Sequence, residues 1–287
     1  MRILITGTSG RIGSAIASSL KKRVEMICLD NRAGSYTTSI IDIREKEKIF
    51  QCVKGMDAVI HCAAFLTPHL DACSDRDFWE VNVIGTENLL EACLWHGVKR
   101  FVFTSTTSVY GDAMVDHQNA VWVTEELLPQ PRDVYDETKL AAEKLCHDAS
   151  KHGISCISLR MSRCFPEPDE LMAIYRLYRG VDIRDVVQAH ELALYSSIEG
   201  YEVVNISNQT PFQQSDREEL SGNADDVIMR YFPWAKKEFS MRGWSFPKTI
   251  DRVYVIEKAK KLLGYKPSHN FSEWFTHRAH VRRTGHF

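Results

Sequence analysis

A tyrosine and a lysine lie four residues apart in the segment YDETK, residues 135–139. On a helix, this spacing places both side chains on one face, one turn apart. Oxidation of a carbinol removes a hydride from carbon and a proton from oxygen, and a tyrosine with its ordinary pKa of about 10 is a weak base at neutral pH. A nearby ammonium group favours the tyrosinate. Tyr135 and Lys139 therefore fit a general base and its partner, although the same spacing also occurs at polar helix starts.

Three glycines stand between the first apolar run and the first helical pattern. They are Gly7, Gly10 and Gly13 of GTSGRIG. Because glycine has no side chain, such a loop lets a pyrophosphate approach the unpaired N–H groups of a helix N-terminus. The pattern predicts a dinucleotide site, and a simple tight turn between strand and helix is the alternative.

An acidic residue, Asp30, ends the second predicted strand. A carboxylate at this place accepts hydrogen bonds from the adenine ribose hydroxyls and repels a 2'-phosphate, which favours NAD over NADP. Arg11 and Arg32 are the opposing observation, since a guanidinium binds phosphate. Asp42 and Ile43 fall where the chain could meet the adenine, although Asp42 could equally cap a helix.

Strand and helix patterns alternate around these residues. Apolar strand patterns at residues 2–6, 24–30, 56–64, 98–106 and 154–160 are separated by helical patterns at 14–23, 44–55, 77–97 and 135–152. The alternation predicts an α/β fold, a Rossmann-type doubly wound parallel sheet. We assign residues 1–162 to a dinucleotide-binding domain and 163–287 to a small C-terminal substrate-binding region, partly interleaved with the sheet.

The segments TGTSGRIG, FTSTTSVYG and YDETK occur in this order. With them the chain resembles the extended short-chain dehydrogenase/reductase superfamily, which includes nucleotide-sugar epimerases and dehydratases, over residues 1 to about 165. The resemblance implies that Tyr135 is the acid/base, that Lys139 is its partner, and that Thr106 binds the reacting oxygen. A positively charged nicotinamide would add to the effect of Lys139 on the tyrosine.

The resemblance also implies a wider set of binding residues. Ala63 and Ala64 would border the cofactor, and Asn82 would support the strand that carries Thr106. The residues expected to bind the cofactor are Gly7, Gly10, Arg11, Ile12, Gly13, Asp30, Asn31, Asp42, Ile43, Ala63, Ala64, Asn82, Thr104, Tyr135 and Lys139. The residues expected to bind substrate are Thr106, Thr107, Ser108 and Arg163. No metal site is expected.

Two features indicate different substrates. The interval from Cys164 to Arg184 is short for a nucleotide-sugar enzyme of this superfamily, and Arg163 stands where epimerases tend to have asparagine. With the stretch CFPEP, this part is similar to uronate dehydrogenases, and Arg163 or Arg160 would suit a carboxylate. However, VDIRDVVQAHELAL, VVNISNQTPF and KAKKLLGYKP are similar to the C-terminal parts of sugar-nucleotide epimerases.

We therefore expect an NAD-dependent oxidoreductase that oxidises a hydroxyl of a sugar or sugar acid. A nucleotide-sugar epimerase that oxidises its substrate transiently is the first alternative. A non-catalytic NAD-binding sensor or scaffold is the second, and the presence of Tyr135, Lys139 and Thr106 argues against it.

The composition narrows the class of partners. The 287 residues are 44% hydrophobic and carry a net charge of -2 with both signs interspersed, so no basic field draws the protein to nucleic acid or to a membrane. Eight cysteines without a C-x-x-C pair are typical of reduced core residues, and His61 is expected to be a core histidine. The chain starts directly with an apolar strand pattern, and we expect a cytoplasmic enzyme.

Two segments bear on assembly. The helical patterns at 77–97 and 135–152 correspond to the pair that extended members often use for a dimer interface, so a homodimer is expected by analogy. The basic segment HRAHVRRTGHF, residues 277–287, is expected to be a solvated end, with a docking element for phosphate or a partner as the alternative.

Overall fold

A parallel β-sheet of seven strands forms the centre of the protein, in a computed structural model that describes residues 1–276. The strands of the chain are β1 (Arg2–Thr6), β2 (Glu25–Asp30), β3 (Ser39–Ile40), β4 (Ala58–His61), β5 (Arg100–Thr106), β6 (Val121–Val123), β7 (Ser155–Met161), β8 (Tyr201–Ile206) and β9 (Arg252–Tyr254). The order across the large sheet is β3-β2-β1-β4-β5-β7-β8. The order therefore reverses between β1 and β4, the kind of place where ligands bind in open α/β sheets.

Helices cover both faces of this sheet. They are α1 (Arg11–Leu20), α2 (Lys46–Val53), α3 (Asp75–Phe78), α4 (Gly85–His96), α5 (Val134–Ser150), α6 (Asp169–Tyr175), α7 (Ile183–Tyr195), α8 (Arg217–Leu220), α9 (Ala224–Tyr231), α10 (Ala235–Arg242) and α11 (Glu257–Leu263). Helices α1, α7 and α11 share one apolar cluster with the sheet, and α2, α4 and α5 share the other. Because both faces are covered, strands such as β4 are buried along their whole length. The predicted fold class is confirmed.

The long helix predicted at residues 77–97 is interrupted. The first turn of α3 leads into a π-helical segment, Trp79–Ile84, before the regular helix α4 begins. Helix α4 ends at Gly97, which has a φ of 71° and therefore suits glycine at the C-terminal cap. The π-helical segment carries Asn82, and insertions of this kind are frequent at functional sites.

The C-terminal region has a core of its own. Its apolar cluster joins α6 and α8 to α10 with aromatic side chains such as Phe239 and Phe271. Strand β8, which lies beyond residue 162, nevertheless completes the large sheet, and β6 leaves the first region to pair with β9. The short strands β3, β6 and β9 and the helices α6 and α8 to α10 were not predicted.

Two further expectations concern the ends of the chain and membranes. No helix within residues 1–276 is both long and apolar enough to cross a bilayer. The basic segment 277–287 lies outside the described residues, so the prediction for it stays a prediction.

Candidate active site

A cavity of about 480 Å³ lies at the carboxyl edge of the sheet, where β1, β4, β5 and β7 end. Most of the predicted site residues line this cavity: Gly7, Gly10, Arg11, Ile12, Gly13, Asp30, Asn31, Asp42, Ile43, Ala63, Ala64, Thr104, Thr106, Tyr135 and Lys139. They come from positions up to 132 residues apart in the chain, from 7 to 139, and parallel strands bring them together because their carboxyl ends share one edge.

The glycine loop is packed too tightly for side chains. A Cβ on Gly13 would lie 2.2 Å from the carbonyl oxygen of Gly7, and one on Gly7 would lie 2.7 Å from the backbone nitrogen of Ala63. Gly7 also has a φ of 75°, in the left-handed region. The three glycines thus let β1, α1 and the end of β4 meet at one point.

The loop delivers the N-terminus of α1 to the cavity. Gly10 is the N-cap and supplies no side-chain cap, and the first turn contains no acidic residue. The first N–H groups of a helix have no carbonyl partner within the helix, so those of Arg11, Ile12 and Gly13 remain available to an anion. This donor set and the tight backbone fit the pyrophosphate of a dinucleotide.

The Asp30 carboxylate stands at the other end of the same loop. One oxygen accepts a hydrogen bond from the Ser9 backbone N–H at 2.9 Å, and the other accepts one from the Arg32 N–H at 3.0 Å. Each carboxylate oxygen can accept a further bond, which leaves capacity for ribose hydroxyls. The guanidinium of Arg11 instead donates to the Cys164 carbonyl oxygen at 2.6 Å.

Asp42 lies in the cavity wall and does not cap a helix. Its carboxylate binds the Arg44 side chain at 2.8 Å, and the N-cap residue of α2 is Glu45. The arginine hydrogen bond lowers the pKa of Asp42, so the carboxylate stays ionised. Of the two interpretations offered by the sequence, the helix cap is wrong.

Tyr135 and Lys139 occupy one face of the first two turns of α5, and both are buried. Burial raises the pKa of Tyr135 well above its usual range, and a hydrogen bond with the Thr106 side chain opposes this effect. The Lys139 ammonium donates to the Thr104 carbonyl oxygen at 2.7 Å and lies 4.1 Å from the centre of the Phe103 ring. The pair and Thr106 therefore meet where β5 ends.

The pKa values of Tyr135 and Lys139 differ from those that their spacing alone would suggest. Burial lowers the pKa of Lys139 to about 8, so the lysine is close to its neutral form in mildly alkaline solution. In the protein alone, burial and the charges of Asp136 and Asp133 all raise the pKa of Tyr135, so it is a neutral phenol. A further positive charge in the cavity is needed before the tyrosinate becomes accessible.

Four predicted site residues do not line the cavity. Asn82 is buried and uses its amide to bind the backbone N–H and carbonyl of Phe65, and it also donates to the Thr138 hydroxyl. It therefore ties the segment after β4 to α5 instead of touching a ligand or β5. Thr107 is buried as well, with its hydroxyl on the Met161 carbonyl at 3.3 Å.

Ser108 and Arg163 lie beside the cavity. The backbone N–H of Ser108 donates to the Thr106 hydroxyl at 3.1 Å, so it helps to orient Thr106. The Arg163 guanidinium binds Glu167 and packs 5.5 Å from the centre of the Phe165 ring. Its charge is already paired with a carboxylate, which is the physical reason that it does not point into the cavity as an anion contact.

Several cavity residues were missed by the sequence analysis. The segment after β4 contributes Phe65, Leu66 and His69, and the end of β7 contributes Ser162 and Phe165. The Leu66 backbone N–H donates to the Nδ1 atom of His69 at 2.9 Å, which fixes the ring at the cavity wall. Their position directly after buried strands was the available signal, since chain segments at strand ends form the sites of such sheets.

Other titratable groups near the site are structural. His61 is buried between the hydroxyls of Thr6 and Thr86, at 2.7 and 3.0 Å, and burial lowers its pKa to about 3. The prediction of a core histidine is confirmed. All eight cysteines are free thiols. Within residues 1–276, no cluster of three or more histidine, cysteine, aspartate or glutamate side chains could hold a metal ion.

Comparison with known proteins shows the family of this chain. A family model described as the NAD dependent epimerase/dehydratase family matches residues 3–170, more than half of the chain. The chain belongs to this family. The recognition of an extended short-chain dehydrogenase/reductase from its three segments is thereby confirmed.

Individual relatives span two activities. The chain is 30% identical over 171 residues to a UDP-glucose 4-epimerase of Streptomyces lividans, an alignment that covers 55% of this chain and 50% of the epimerase. It is 26% identical over 211 residues to a uronate dehydrogenase of Pseudomonas putida, covering 71% of this chain and 75% of that enzyme. The match thus spans only half of the length of the epimerase.

A solved structure agrees over nearly the whole chain. It is a short-chain dehydrogenase/reductase superfamily protein of Agrobacterium tumefaciens with bound NAD, with a TM-score of 0.74 and 20% identity. The alignment covers 99% of this chain and 98% of that one. At this identity the likeness establishes the fold.

Proposed function

We propose that this protein is an NAD-dependent oxidoreductase that oxidises a hydroxyl group of a sugar or sugar acid. The observation that carries the proposal is the meeting of Tyr135, Thr106 and Lys139 in the same cavity as the glycine loop. Membership of an NAD dependent family supports the cofactor, and both relatives described above act on sugars according to their names.

NAD, when bound, accepts the hydride that leaves the carbinol carbon. Gly10 and the first turn of α1 would hold its pyrophosphate, and Asp30 would accept hydrogen bonds from its adenine ribose. Asp30 disfavours the phosphate of NADP, and the Arg11 guanidinium does not offset this effect because it is bound to the Cys164 carbonyl oxygen. Arg32, the other arginine near Asp30, lines the cavity as well, and membership of an NAD dependent family supports NAD against its effect. NAD is therefore the preferred cofactor.

Tyr135 takes the hydroxyl proton of the substrate at its phenolic oxygen. Thr106 shares a hydrogen bond with that oxygen and can hold the substrate hydroxyl at the same point. Lys139 contributes positive charge one helical turn away, which favours the tyrosinate. Because Tyr135 and Lys139 are both buried, water does not screen this effect.

The substrate class rests on the relatives and on the size of the site. Uronate dehydrogenase is matched over 71% of this chain, more than the epimerase, and the segment from Cys164 to Arg184 leaves no room for a long nucleotide-binding insertion. A free sugar acid is therefore the first substrate class to test. The epimerase alternative is supported by the higher identity of its alignment, 30%. Such an enzyme would return the hydride to the opposite face of the sugar.

The protein is also proposed to be a cytoplasmic homodimer. An open groove on the outer side of α5 is lined by apolar groups of Trp79, Leu140 and Tyr201, and Trp95 on α4 is 77% exposed. A second copy packing α4 and α5 against this surface would cover these side chains. Eight free thiols suit a reducing compartment. Sedimentation of the wild type and of Leu140→Glu tests the interface, and a monomeric wild type at micromolar concentration contradicts it.

The activity is tested with purified protein, added NAD, and separate panels of free uronic acids, neutral sugars and nucleotide-sugars. Absorbance of NADH and chromatography of the sugars are followed together. We expect one NADH for each sugar oxidised, and none with the variant Lys139→Met at the same protein concentration. Interconversion of nucleotide-sugars without net NADH would identify an epimerase, and binding of NAD without any sugar conversion would identify a sensor.

A further inference from the structure

The charge of Lys139 has no carboxylate partner within ion-pair distance among residues 1–276. The residue is 3% exposed, and its ammonium contacts the Thr104 carbonyl oxygen and the Phe103 ring. A buried ammonium is costly without a compensating negative charge, and it loses its proton readily. Some other group must therefore keep Lys139 charged.

Glu143 is the carboxylate placed to do so. It lies one turn beyond Lys139 on the same face of α5, which makes Tyr135, Lys139 and Glu143 a single buried row. Its charge raises the pKa of Lys139, against the larger opposing effect of burial. Glu143 itself is 4% exposed, so the interaction is not weakened by solvent.

The Glu143 carboxylate is fixed by two strands. One oxygen accepts hydrogen bonds from the Ser105 hydroxyl at 2.6 Å and from Arg160 Nε at 2.9 Å. The other accepts one from Arg160 Nη2 at 2.6 Å. Both Glu143 and Arg160 are almost completely buried, and the arginine lies over the Tyr110 ring at 4.8 Å. The ion pair thus locks α5 to β5 and β7 directly behind the lysine.

The other groups around Lys139 do not replace this carboxylate. They are Cys62 and His61 at the end of β4, Cys146 on α5, and Tyr135. Burial raises the pKa of Cys62 to about 11 and raises that of Cys146 further, so both are neutral thiols near pH 7. His61 is neutral because burial lowers its pKa to about 3. Glu143, which is ion-paired with Arg160, is the carboxylate among them.

We infer that Glu143 is a positioning residue of the active site: held by Arg160 and Ser105 one helical turn from Lys139, it keeps that lysine protonated. Arg160 has the opposite sign and balances the charge of Glu143 toward the lysine. Removal of Glu143 alone leaves two buried cations near each other, and Lys139 is the one that can release its proton. This inference rests on the proposed role of Lys139.

The consequences have a direction for each variant. Glu143→Gln lowers the pKa of Lys139 by at least about one unit, because it removes the anion and leaves Arg160 unpaired. Arg160→Met raises it, because Glu143 then acts on the lysine without a competing cation. The double variant Glu143→Gln/Arg160→Met falls between the wild type and Glu143→Gln. Because Lys139 acts in its protonated form, a pKa lower by one unit moves the descending, alkaline limb of the pH–rate profile to lower pH by one unit, about tenfold in rate at fixed pH on that limb.

The test is a direct titration of Lys139 in protein labelled with ¹³C at lysine Cε, in which Lys139→Met identifies the signal. Thermal unfolding and the pH profile of sugar oxidation are measured on the same samples. We expect Lys139 to titrate lower in Glu143→Gln and higher in Arg160→Met than in the wild type. Equal Lys139 pKa values in wild type and both single variants, with only thermal stability reduced, would make the ion pair merely structural and overturn the inference.

Two further outcomes are separable. If one single variant does not fold, the other decides, and an unchanged Lys139 pKa in the single variant that folds would overturn the inference; the double variant, which retains no unpaired buried charge, shows whether the fold tolerates loss of the ion pair. If the wild type oxidises no sugar, the proposed function fails, while the titration still decides whether Glu143 controls the lysine.

Discussion

Replacement of Tyr135 by phenylalanine removes one oxygen atom from the proposed catalytic centre and keeps the buried ring. The phenol shares a hydrogen bond with Thr106, and a typical hydrogen bond contributes about 0.5–1.5 kcal/mol to stability. The proton transfer that it performs is worth far more. Loss of a general base slows a reaction by about 10²–10⁴-fold, or about 3–5 kcal/mol of activation free energy. We therefore expect a small loss of stability and a large loss of activity.

A matched control separates these two effects. Tyr265 is also fully buried, and its hydroxyl donates to the Ser207 carbonyl oxygen at 3.0 Å, outside the cavity wall. Tyr265→Phe loses a comparable hydrogen bond without touching the site. The assays are kcat/KM from NADH absorbance, the thermal unfolding midpoint, and NAD affinity by calorimetry. Similar midpoints with at least a hundredfold difference in kcat/KM would support the reasoning. Retention of more than about a tenth of wild-type kcat/KM in Tyr135→Phe would refute it.

Three further predictions concern the cofactor, the fold and pH. Asp30→Ser weakens NAD binding by about tenfold or more and improves the relative binding of NADP, as calorimetry with both cofactors would measure, because a charged acceptor is lost; equal NAD affinity would contradict it. Gly13→Ala, whose Cβ would lie 2.2 Å from the Gly7 carbonyl oxygen, abolishes NAD binding and lowers the unfolding midpoint; a midpoint within experimental error of the wild type would contradict the tight contact. Burial lowers the pKa of His61 to about 3 and of His190 to about 4, so the unfolded chain binds more protons than the folded protein below pH 6.5. The free energy of unfolding therefore decreases as the pH is lowered, by about 2.7 kcal/mol per pH unit for the two histidines together. Urea unfolding at pH 6 and at pH 5 measures this slope. A slope unchanged in His61→Gln would refute this assignment.

The parts that were predictable from the sequence are those with a local pattern. The glycine loop, Asp30 at the end of a strand, and the Tyr135–Lys139 spacing are read directly because each depends on neighbouring residues. The alternation of apolar strands and amphipathic helices likewise predicts the parallel sheet, because strands buried on both faces need near-continuous apolar runs.

The parts that were missed depend on side chains that meet through the fold. Arg163 was expected to bind the substrate, but its guanidinium forms an ion pair with Glu167 instead. The turn that brings these two residues together has no periodic sequence pattern from which it could be predicted. Asn82 binds the backbone of Phe65 because the π-helical segment rotates it toward the end of β4. His69 reaches the cavity from a loop, where no periodicity exists to place it.

The raised pKa of Tyr135 was also outside the reach of sequence. A spacing of four residues places Lys139 nearby, but it does not report how much water the fold removes. Burial decides the balance, raising the pKa of the phenol and lowering that of the ammonium. The Tyr135 phenol is therefore set to ionise only when the cavity holds additional positive charge.

In the proposed reaction, a hydride passes directly from a sugar carbon to the cofactor in the cavity beside Tyr135. The most direct measurement uses the oxidised sugar identified in the activity panel, deuterated at the reacting carbon, with mass spectrometry of the reduced cofactor. We expect one deuterium in each NADH formed from the labelled sugar, and no deuterium in the NADH formed when unlabelled sugar reacts in heavy water. Reduced cofactor that carries no deuterium from the labelled sugar would contradict it.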